Sequence, residues 1–221
     1  MKSSLPSRYL HLTAIICAVL LPVCSTWAAP FAVQPGTLQP PQVTFSEVPN
    51  FTSLNGLSIN GFTFTENTPM SFTASSAFGP NPSNNISGDR AVSSLGSIPA
   101  GYVLSVALSN PALSFGFGFA LQGGSSMANA VTLTLFNGAT NLGSIAFAGS
   151  PDPNFIGGFA ALGNDAFFNR VEITFNPSFT GFAVDNFAAR NQVPETGSTL
   201  LMLLASAGSL VVLSSFRRRS I

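Results

Sequence analysis

Carboxylates are the main reactive side chains in the central part of the chain. Between residues 29 and 193 there are seven of them: Glu47, Glu66, Asp89, Asp152, Asp165, Glu172 and Asp185. The same stretch contains no Lys, His, Cys or Trp, and its three arginines leave it with a net charge of −4. Oxygen ligands without nitrogen or sulfur partners suit a hard cation, above all Ca²⁺.

Few side chains in the central part of the chain could carry out enzymatic chemistry. The single His and both Cys lie within the first 24 residues, so the central part cannot form a Ser-His-Asp or Cys-His triad. Glycoside hydrolysis needs two carboxyl groups at a set separation and usually a cleft lined with Trp or Tyr. Tyr102 is the only such ring between residues 29 and 193, and Asp152 and Asp165 lie in turn-like contexts. We therefore expect no enzymatic activity.

The charge pattern argues against two further classes of protein, nucleic-acid-binding proteins and disordered, charge-rich chains. Charged residues make up only 7% of the 221 residues, and the formal net charge is zero. The average soluble domain has roughly 25%. Because the basic residues gather at the two ends, we expect no nucleic-acid partner. The high hydrophobic content also excludes a disordered, charge-rich chain.

The N-terminus has the features of a secretory signal peptide over residues 1–28. A positively charged start is followed by an apolar stretch at 10–23 and by small residues up to Ala28. We predict a signal-peptide helix with cleavage after Ala28, which removes the His and both Cys. A lipoprotein anchored at Cys24 is the alternative, although the Pro-Val pair before it fits that signal poorly.

The C-terminus predicts a membrane-spanning helix. Residues 197–216 form a run of 20 residues without a charge. At about 1.5 Å per residue, a helix of this length spans roughly 30 Å, the thickness of the hydrocarbon core. Arg217, Arg218 and Arg219 follow directly and form a cytoplasmic anchor, so residues before Gly197 face outward.

A short proline-containing motif directly precedes this helix: Val193, Pro194, Glu195, Thr196 and Gly197. Together with the helix and the arginines, it resembles the sorting signal of PEP-CTERM bacterial proteins, most closely the variant with a Val-Pro-Asp-Ser-Gly core. The resemblance covers residues 193–219. It implies processing by an exosortase, a membrane-embedded transpeptidase, followed by release or attachment at the cell surface. The motif is also similar to a Leu-Pro-x-Thr-Gly sortase signal, but a spacer and a Lys-rich wall-spanning region are missing.

Residues 42–190 are predicted to form one all-β domain. They follow a lead-in with little order at 29–41 and precede a linker and sorting signal at 191–221. Turn-forming residues recur every 8 to 15 residues, and no stretch has a convincing helical period. We expect a long loop at 74–97.

Alternation at period 2 identifies the strands. Apolar residues alternate with small or polar ones at 113–119, 131–136 and 171–176. Further strands are predicted at 42–47, 57–65, 102–108, 142–148, 155–160 and 181–188. Nine or ten short strands indicate a single two-sheet sandwich of jelly-roll type, and the 21 Phe residues are its expected core.

The order of the sequence blocks supports this fold by resemblance. The blocks 42–64, 130–144 and 170–187 together resemble a β-sandwich domain found in PEP-CTERM surface proteins. That domain is similar in appearance to lectin-like and carbohydrate-binding jelly rolls. The family has no settled activity, so the resemblance implies the fold and the surface location but no activity.

The resemblance also implies a calcium site. In such jelly rolls a structural Ca²⁺ often joins an acidic residue of the first strand to an Asp of the last. Glu47 and Asp185 occupy these places, and Asn186 follows Asp185. The alternative is that Asp185 and Asn186 cap the end of a strand while Glu47 is solvated.

These features predict an exported cell-surface or extracellular-matrix protein of structural or adhesive type. Its expected partners are an exosortase-like processing enzyme, the membrane before processing, and extracellular polysaccharide. The alternative function is a carbohydrate-binding module. That reading expects Tyr102 and the Asn residues of the 79–89 loop to converge on a concave face.

Overall fold

The structure is a computed structural model of the chain. It describes residues 29–74, 86, 91–95, 97–123, 128–151 and 155–191. The strands in these ranges are β1 (Phe31–Ala32), β2 (Ser58–Ile59), β3 (Phe62–Glu66), β4 (Phe72–Ala74), β5 (Ala91–Leu95), β6 (Leu104–Gln122), β7 (Val131–Asn137), β8 (Thr140–Phe147), β9 (Ser150–Pro151), β10 (Phe155–Phe175) and β11 (Gly181–Arg190). One short 3-10 helix, η1, covers Pro35–Leu38.

Within the described ranges, no helix has the length and apolar character needed to cross a membrane. The predicted signal peptide at 1–28 and the predicted transmembrane helix at 197–216 lie outside the described residues.

The strands pair antiparallel in one hydrogen-bonded network with two arms that share β6 and β10. In the first arm, the second half of β6 lies between β11 and the first half of β10, and β5 and β4 extend it beyond β11. In the second arm, the first half of β6 lies between β3 and the second half of β10, and β7 and β8 follow. The all-β prediction is confirmed, and the arrangement is consistent with a β-sandwich.

The predicted alternation is confirmed in the second arm. In β7, Val131, Leu133 and Leu135 are buried, whereas Thr132, Thr134 and Phe136 are partly exposed. In the last third of β10, the apolar residues are likewise buried and the polar residues between them are partly exposed. One face of these strands therefore covers the core and the other meets solvent.

Two predictions of strand length were wrong. The predicted strands at 102–108 and 113–119 belong to the single 19-residue β6, and those at 155–160 and 171–176 belong to the 21-residue β10. The pairing between β6 and β10 becomes irregular between Gly163 and Arg170. Residues 114–121 are buried on both faces, because β6 is central, Leu38 packs over Gly116 on the second face, and Ala120 packs there with Ile86.

Two further predicted strands have a different conformation. The segment 42–47 makes only an isolated bridge at Val43, because Phe45 has a φ of 57° and the chain then turns. The segment 57–65 is a hairpin of β2 and β3 rather than one strand. Asn60 and Gly61, with φ of 48° and 86°, form its two-residue turn.

The lead-in and the predicted long loop are also more ordered than expected. At 29–41, β1 pairs with β10, and Leu38 of η1 is fully buried. Within 74–97, β5 pairs with both β4 and β11. Glycines explain the order of the lead-in at 29–41, because Gly116 and Gly163 leave room for Leu38 and Phe31 to pack on β6 and β10.

The core centres on Phe187, which a bulge in β11 directs inward. The register of β11 against β6 shifts between Asp185 and Ala188, and Asn186 has a φ of 56°. The Phe187 ring stacks on Phe117 at 5.0 Å and meets Phe64 edge-on at 5.1 Å. The predicted Phe-rich core is therefore confirmed.

We predict that Gly116→Ala destabilises the domain and loosens the lead-in. A Cβ at this position would lie 2.6 Å from Leu38 Cδ1 and 2.9 Å from the backbone oxygen of Ala160. Such overpacking typically costs about 1–3 kcal/mol. Urea denaturation measures the free energy of unfolding, and limited proteolysis reports release of residues 29–41.

Gly36→Ala is the matched control, since nothing lies within 4 Å of a Cβ added there. Its free energy of unfolding should stay within about 0.5 kcal/mol of the wild type. Equal stability of the two variants would contradict the role of Gly116.

Candidate functional site

A polar pocket of about 480 Å³ lies where the N-terminal segment, the β2–β3 turn and the end of β11 meet. We call it the amide pocket, because four of its lining residues carry a side-chain amide. Its lining residues are Gln42, Asn60, Gly61, Phe62, Leu108, Ser109, Asn110, Ala189, Arg190 and Asn191. The polar groups come from four segments far apart in sequence, so the fold must assemble the site.

The β2–β3 turn forms one wall of the amide pocket. The backbone amide of Ser109 donates to the carbonyl oxygen of Gly61 at 2.9 Å, and its hydroxyl donates to the same oxygen at 3.2 Å. A Cβ on Gly61 would lie 2.7 Å from Ser109 Oγ. Glycine is therefore required here by both its positive φ and this close approach.

Gln42 connects two walls of the pocket. Its side-chain oxygen accepts a hydrogen bond from the backbone amide of Ala189 at 2.7 Å. Its backbone oxygen accepts one from the side-chain nitrogen of Asn60 at 2.8 Å. Each amide thus uses one of its two polar ends to fix its position. Among the described residues no partner is seen for the Gln42 side-chain nitrogen or for the Asn60 side-chain oxygen.

The Arg190 guanidinium is held by backbone carbonyls. It donates to the oxygen of Leu38 at 3.1 Å, to that of Ala189 at 3.1 Å and to that of Pro40. These bonds join the end of β11 to the segment after η1. The residues that line the pocket include no carboxylate. Its remaining chemistry is that of neutral amides and a hydroxyl, which provide both donors and acceptors.

The residues of the calcium prediction lie in different environments. Glu47 is exposed in a turn, and its nearest hydrogen-bonding partner is the Thr44 hydroxyl at 3.4 Å. Asp185 is fully buried inside β11 and accepts the backbone amide of Asn186 at 2.7 Å. In the described part of the chain, no three His, Cys, Asp or Glu side chains are grouped so as to hold a metal ion. The calcium site at Glu47, Asp185 and Asn186 stays a prediction. The alternative, a cap at a strand end, is wrong, because the pair forms a bulge within β11.

Tyr102 is a core residue, which contradicts its predicted place on an exposed binding face. It is 2% exposed, and its ring packs against Phe175 and Phe182, which stack on each other at 4.4 Å. Its hydroxyl donates to Glu66 Oε1 at 2.5 Å. The cause is the pairing of β3 with β6, which brings Glu66 opposite Leu104 and close to the ring.

Glu66, itself only 4% exposed, accepts several further hydrogen bonds. The Ser71 hydroxyl donates to Oε1 at 2.6 Å, and the Ser71 backbone amide donates to it at 3.2 Å. Burial first, and then the Glu66 carboxylate, raise the pKa of Tyr102 far above its ordinary value. The network therefore fixes the segment after β3 on the core with Tyr102 protonated.

The carboxylates that the structure describes are not arranged as a catalytic pair in the pocket. Glu66 and Asp185 are buried, Glu47 and Asp165 are exposed, and Glu172 forms an ion pair with Arg170. Asp89 and Asp152 lie outside the described residues, as do the Asn residues of the 79–89 loop. So do the predicted sorting residues at 193–197 and the predicted anchor at 217–219.

The residues of the amide pocket were not singled out from the sequence. Only the Asn60-Gly61 pair carried a local signal, since Asn-Gly between two apolar runs is a strong indicator of a hairpin turn. The other amides come together through long-range pairing, for which a single sequence has no local signal.

No family model matches the chain, and no curated protein matches it. Solved structures that align with it include the enzymatically active domain of tailspike protein 4 of bacteriophage CBA120, with 17% identity and a TM-score of 0.36. Another is the catalytic domain of a GH87 α-1,3-glucanase in complex with tetrasaccharides, with 16% identity and a TM-score of 0.34. A third is TmCBM61 in complex with β-1,4-galactotriose, with 15% identity and a TM-score of 0.35.

These alignments cover 62%, 63% and 64% of this chain, respectively. The chain spans 21% of the tailspike structure, 29% of the glucanase structure and 97% of TmCBM61. We infer what the amide pocket can bind from its own side chains.

We predict that Tyr102→Phe lowers stability and removes an alkaline pH dependence. Loss of the hydroxyl leaves the buried Glu66 carboxylate short of a donor, at a cost of about 1–3 kcal/mol near neutral pH. In the wild type, the unfolded state loses the tyrosine proton above the ordinary pKa of 10.0, whereas the folded state keeps it. Ionisation of Tyr102 therefore leaves the free energy of unfolding unchanged below pH 10.0. Above pH 10.0 it lowers the free energy of unfolding by up to about 1.4 kcal/mol per pH unit.

Urea denaturation at several pH values, with tyrosinate absorbance as a second signal, measures this dependence. Tyr9 and Lys2, the chain's only other Tyr and only Lys, precede the domain, so the alkaline slope reports mainly on Tyr102. Thr65→Val, an exposed hydroxyl deletion on β3, should change the stability by less than about 0.5 kcal/mol and keep the slope. An unchanged slope in Tyr102→Phe would contradict the assignment.

Proposed function

We propose that the chain is an exported, non-catalytic domain of jelly-roll type, of structural or adhesive character, that binds carbohydrate at the cell surface or in the extracellular matrix. The observation that carries this proposal is the composition of the amide pocket. Asn110, Asn191 and the Gln42 side-chain nitrogen offer neutral donors and acceptors at one concave place. Such groups match the hydroxyls of a sugar, each of which both donates and accepts.

The charges in and around the pocket favour a neutral ligand. The Arg190 guanidinium is directed to three backbone carbonyls, and the lining contains no carboxylate. An anionic ligand would have to compete with those carbonyls for the cation. A glycosidase would need two carboxyl groups beside the ligand, so the same lining supports binding rather than hydrolysis.

Export and sorting form the second part of the proposal, and the two termini support it. We infer that residues 1–28 direct export and that an exosortase-like transpeptidase acts at Val193–Gly197 after the chain has entered the membrane through residues 197–216. The motif, the apolar run and Arg217–Arg219 occur in the order such a signal requires. Asn191 is the last described residue and precedes the motif, so cleavage within the motif would retain every described residue.

We predict that Asn110→Ala combined with Asn191→Ala weakens glycan binding by about fivefold to a hundredfold. Each lost hydrogen bond contributes about 0.5–1.5 kcal/mol, and a tenfold change corresponds to about 1.4 kcal/mol. A glycan array identifies a ligand for the wild type, and calorimetry compares the affinities. Asn50→Ala, an exposed amide outside the pocket, is the control and should bind like the wild type. Equal affinity of the double variant and the wild type would refute the pocket as the site.

We predict that the native mature protein lacks residues 198–221 and that Pro194→Ala accumulates in the longer, membrane-bound form. Intact-mass measurement of the native protein and fractionation of the variant test this, because the motif is the expected recognition element. Pro177→Ala, in an exposed turn of the domain, should be processed normally. A mature form that still carries Arg217–Arg219 would count against exosortase processing.

A further inference from the structure

Strand β8 forms one end of the sheet and is long for a strand in that position. Among the described residues it pairs with β7 and with no other strand. The other strands with a single partner strand are short, since β4 has three residues and β1, β2 and β9 have two each, whereas β8 has eight. An edge strand presents backbone N–H and C=O groups on its open side. In the described part of the chain, β8 is therefore the place where a further strand can be added.

Most of β8 lacks the features that usually keep an edge strand from pairing with another molecule. Natural edge strands are protected by charged side chains, above all Lys, by Pro or by bulges. Residues 137–150 contain no charged residue and no Pro. A register shift between Leu135 and Phe136 of β7 affects the start of β8, but the pairing is regular from Gly143 to Phe147. We call residues 143–147 the open edge.

Two apolar side chains of the open edge are only half covered. Ile145 and Phe147 pack against the core but stay partly exposed. Their partners on β7, Leu133 and Val131, are fully buried. The difference follows from position, because β7 has a neighbouring strand on each side and β8 has one on a single side. A strand added to the open edge would complete the cover of both side chains, so apolar burial and backbone pairing favour the same kind of partner.

The open edge is complementary to itself. When two copies pair antiparallel about a two-fold axis at Ile145, each Ile145 faces its own copy and each Gly143 faces a Phe147. Gly143 has no side chain that would oppose the Phe147 ring. Pro30 packs over Gly143, since a Cβ added there would lie 2.7 Å from Pro30 Cδ, so the ring would meet apolar atoms. No like charges meet, because this stretch of both copies is uncharged.

We propose that two copies of the chain pair β8 to β8 in an antiparallel sheet centred on Ile145. A second copy fits this edge because its own uncharged strand supplies the matching backbone groups, the Ile145 side chain and the Phe147 ring. Both copies use the same surface, so the assembly closes as a dimer. Five paired residues form a small interface, so dimerisation should depend on protein concentration. None of these residues lines the amide pocket, and the proposal is independent of the proposed function.

Sedimentation equilibrium of the full-length chain in density-matched mild detergent tests this pairing. The wild-type mass should rise with concentration from one copy towards two. In the proposed register Ser144 of one copy faces Ala146 of the other, so the edge variant Ser144→Lys/Ala146→Lys places like charges directly opposite each other. Its dissociation constant should be about twofold to thirtyfold higher than that of the wild type, and high salt should reduce the difference.

Two further variants control for charge and for register. Thr132→Lys/Thr134→Lys adds the same charge to the same face of the neighbouring strand β7 and should associate like the wild type. Ser144→Lys/Ala146→Glu brings opposite charges together across the axis and should associate within about threefold of the wild type. Ser144 and Ala146 are exposed, so melting temperatures should stay within a few degrees of the wild type. All variants share the same termini, so differences between them report on the domain.

Hydrogen exchange identifies the strand that pairs. Amides within residues 143–147 should exchange more slowly at high protein concentration than at low concentration. A wild type that stays monomeric, an edge variant that associates as strongly as the wild type, or concentration-dependent protection confined to other strands would overturn the proposal. Equal weakening by Thr132→Lys/Thr134→Lys would assign the association to the face of the sheet instead of its edge. No recovery in Ser144→Lys/Ala146→Glu would contradict the register centred on Ile145.

Discussion

The packing of Phe187 against the surrounding aromatic rings is the constraint on which the rest of the domain depends. The ring contacts Phe45, Phe64 and Phe117 at centroid distances of 5.8, 5.1 and 5.0 Å. It can do so because the bulge after Asp185 adds one residue to β11 and turns the strand locally inward. Without the bulge, strict alternation would place successive side chains of β11 on fixed opposite faces.

The same bulge organises the amide pocket. It leaves the backbone of Phe187 free to pair with the N-terminal segment, and the amides of Gln42 and Val43 donate to its oxygen at 2.8 and 3.1 Å. Gln42 is thereby placed beside Ala189, whose amide its side chain accepts. The aromatic core and the polar site are thus linked through two residues of backbone pairing.

Local sequence pattern predicted the strands of the second arm because one of their faces meets solvent. In β7 the side chains alternate between core and solvent, and the sequence alternates with them. The same reasoning failed for the second half of β6, since both of its faces are covered and Ser114 is as buried as Phe115. It also divided β6 at Asn110 and Pro111, which indicate a turn locally although the chain continues as a strand into the other arm.

The roles of the functional residues depend on tertiary contacts, which the sequence alone does not reveal. Tyr102 and Glu66 are 36 positions apart, and only the β3–β6 pairing places them in contact. A tyrosine with a polar tip is equally compatible with a binding face and with a hydrogen-bonded core. The same holds for Gln42, whose role depends on a backbone amide 147 positions away. The two predicted terminal signals differ, because a contiguous motif needs no tertiary contact to be recognised in a sequence.

The use of charge within the described domain determines what its surface can recognise. Glu66 accepts the Tyr102 hydroxyl, Arg170 pairs with Glu172, and Arg190 donates to backbone carbonyls. Charges engaged in this way are less available to an external ligand, because a ligand must replace the existing partner before it gains a new one. The side-chain amides of Asn110 and Asn191 in the amide pocket carry no such cost beyond displacing water. In a chain with only 7% charged residues, this difference supports the proposal of a neutral ligand that is rich in hydroxyl groups.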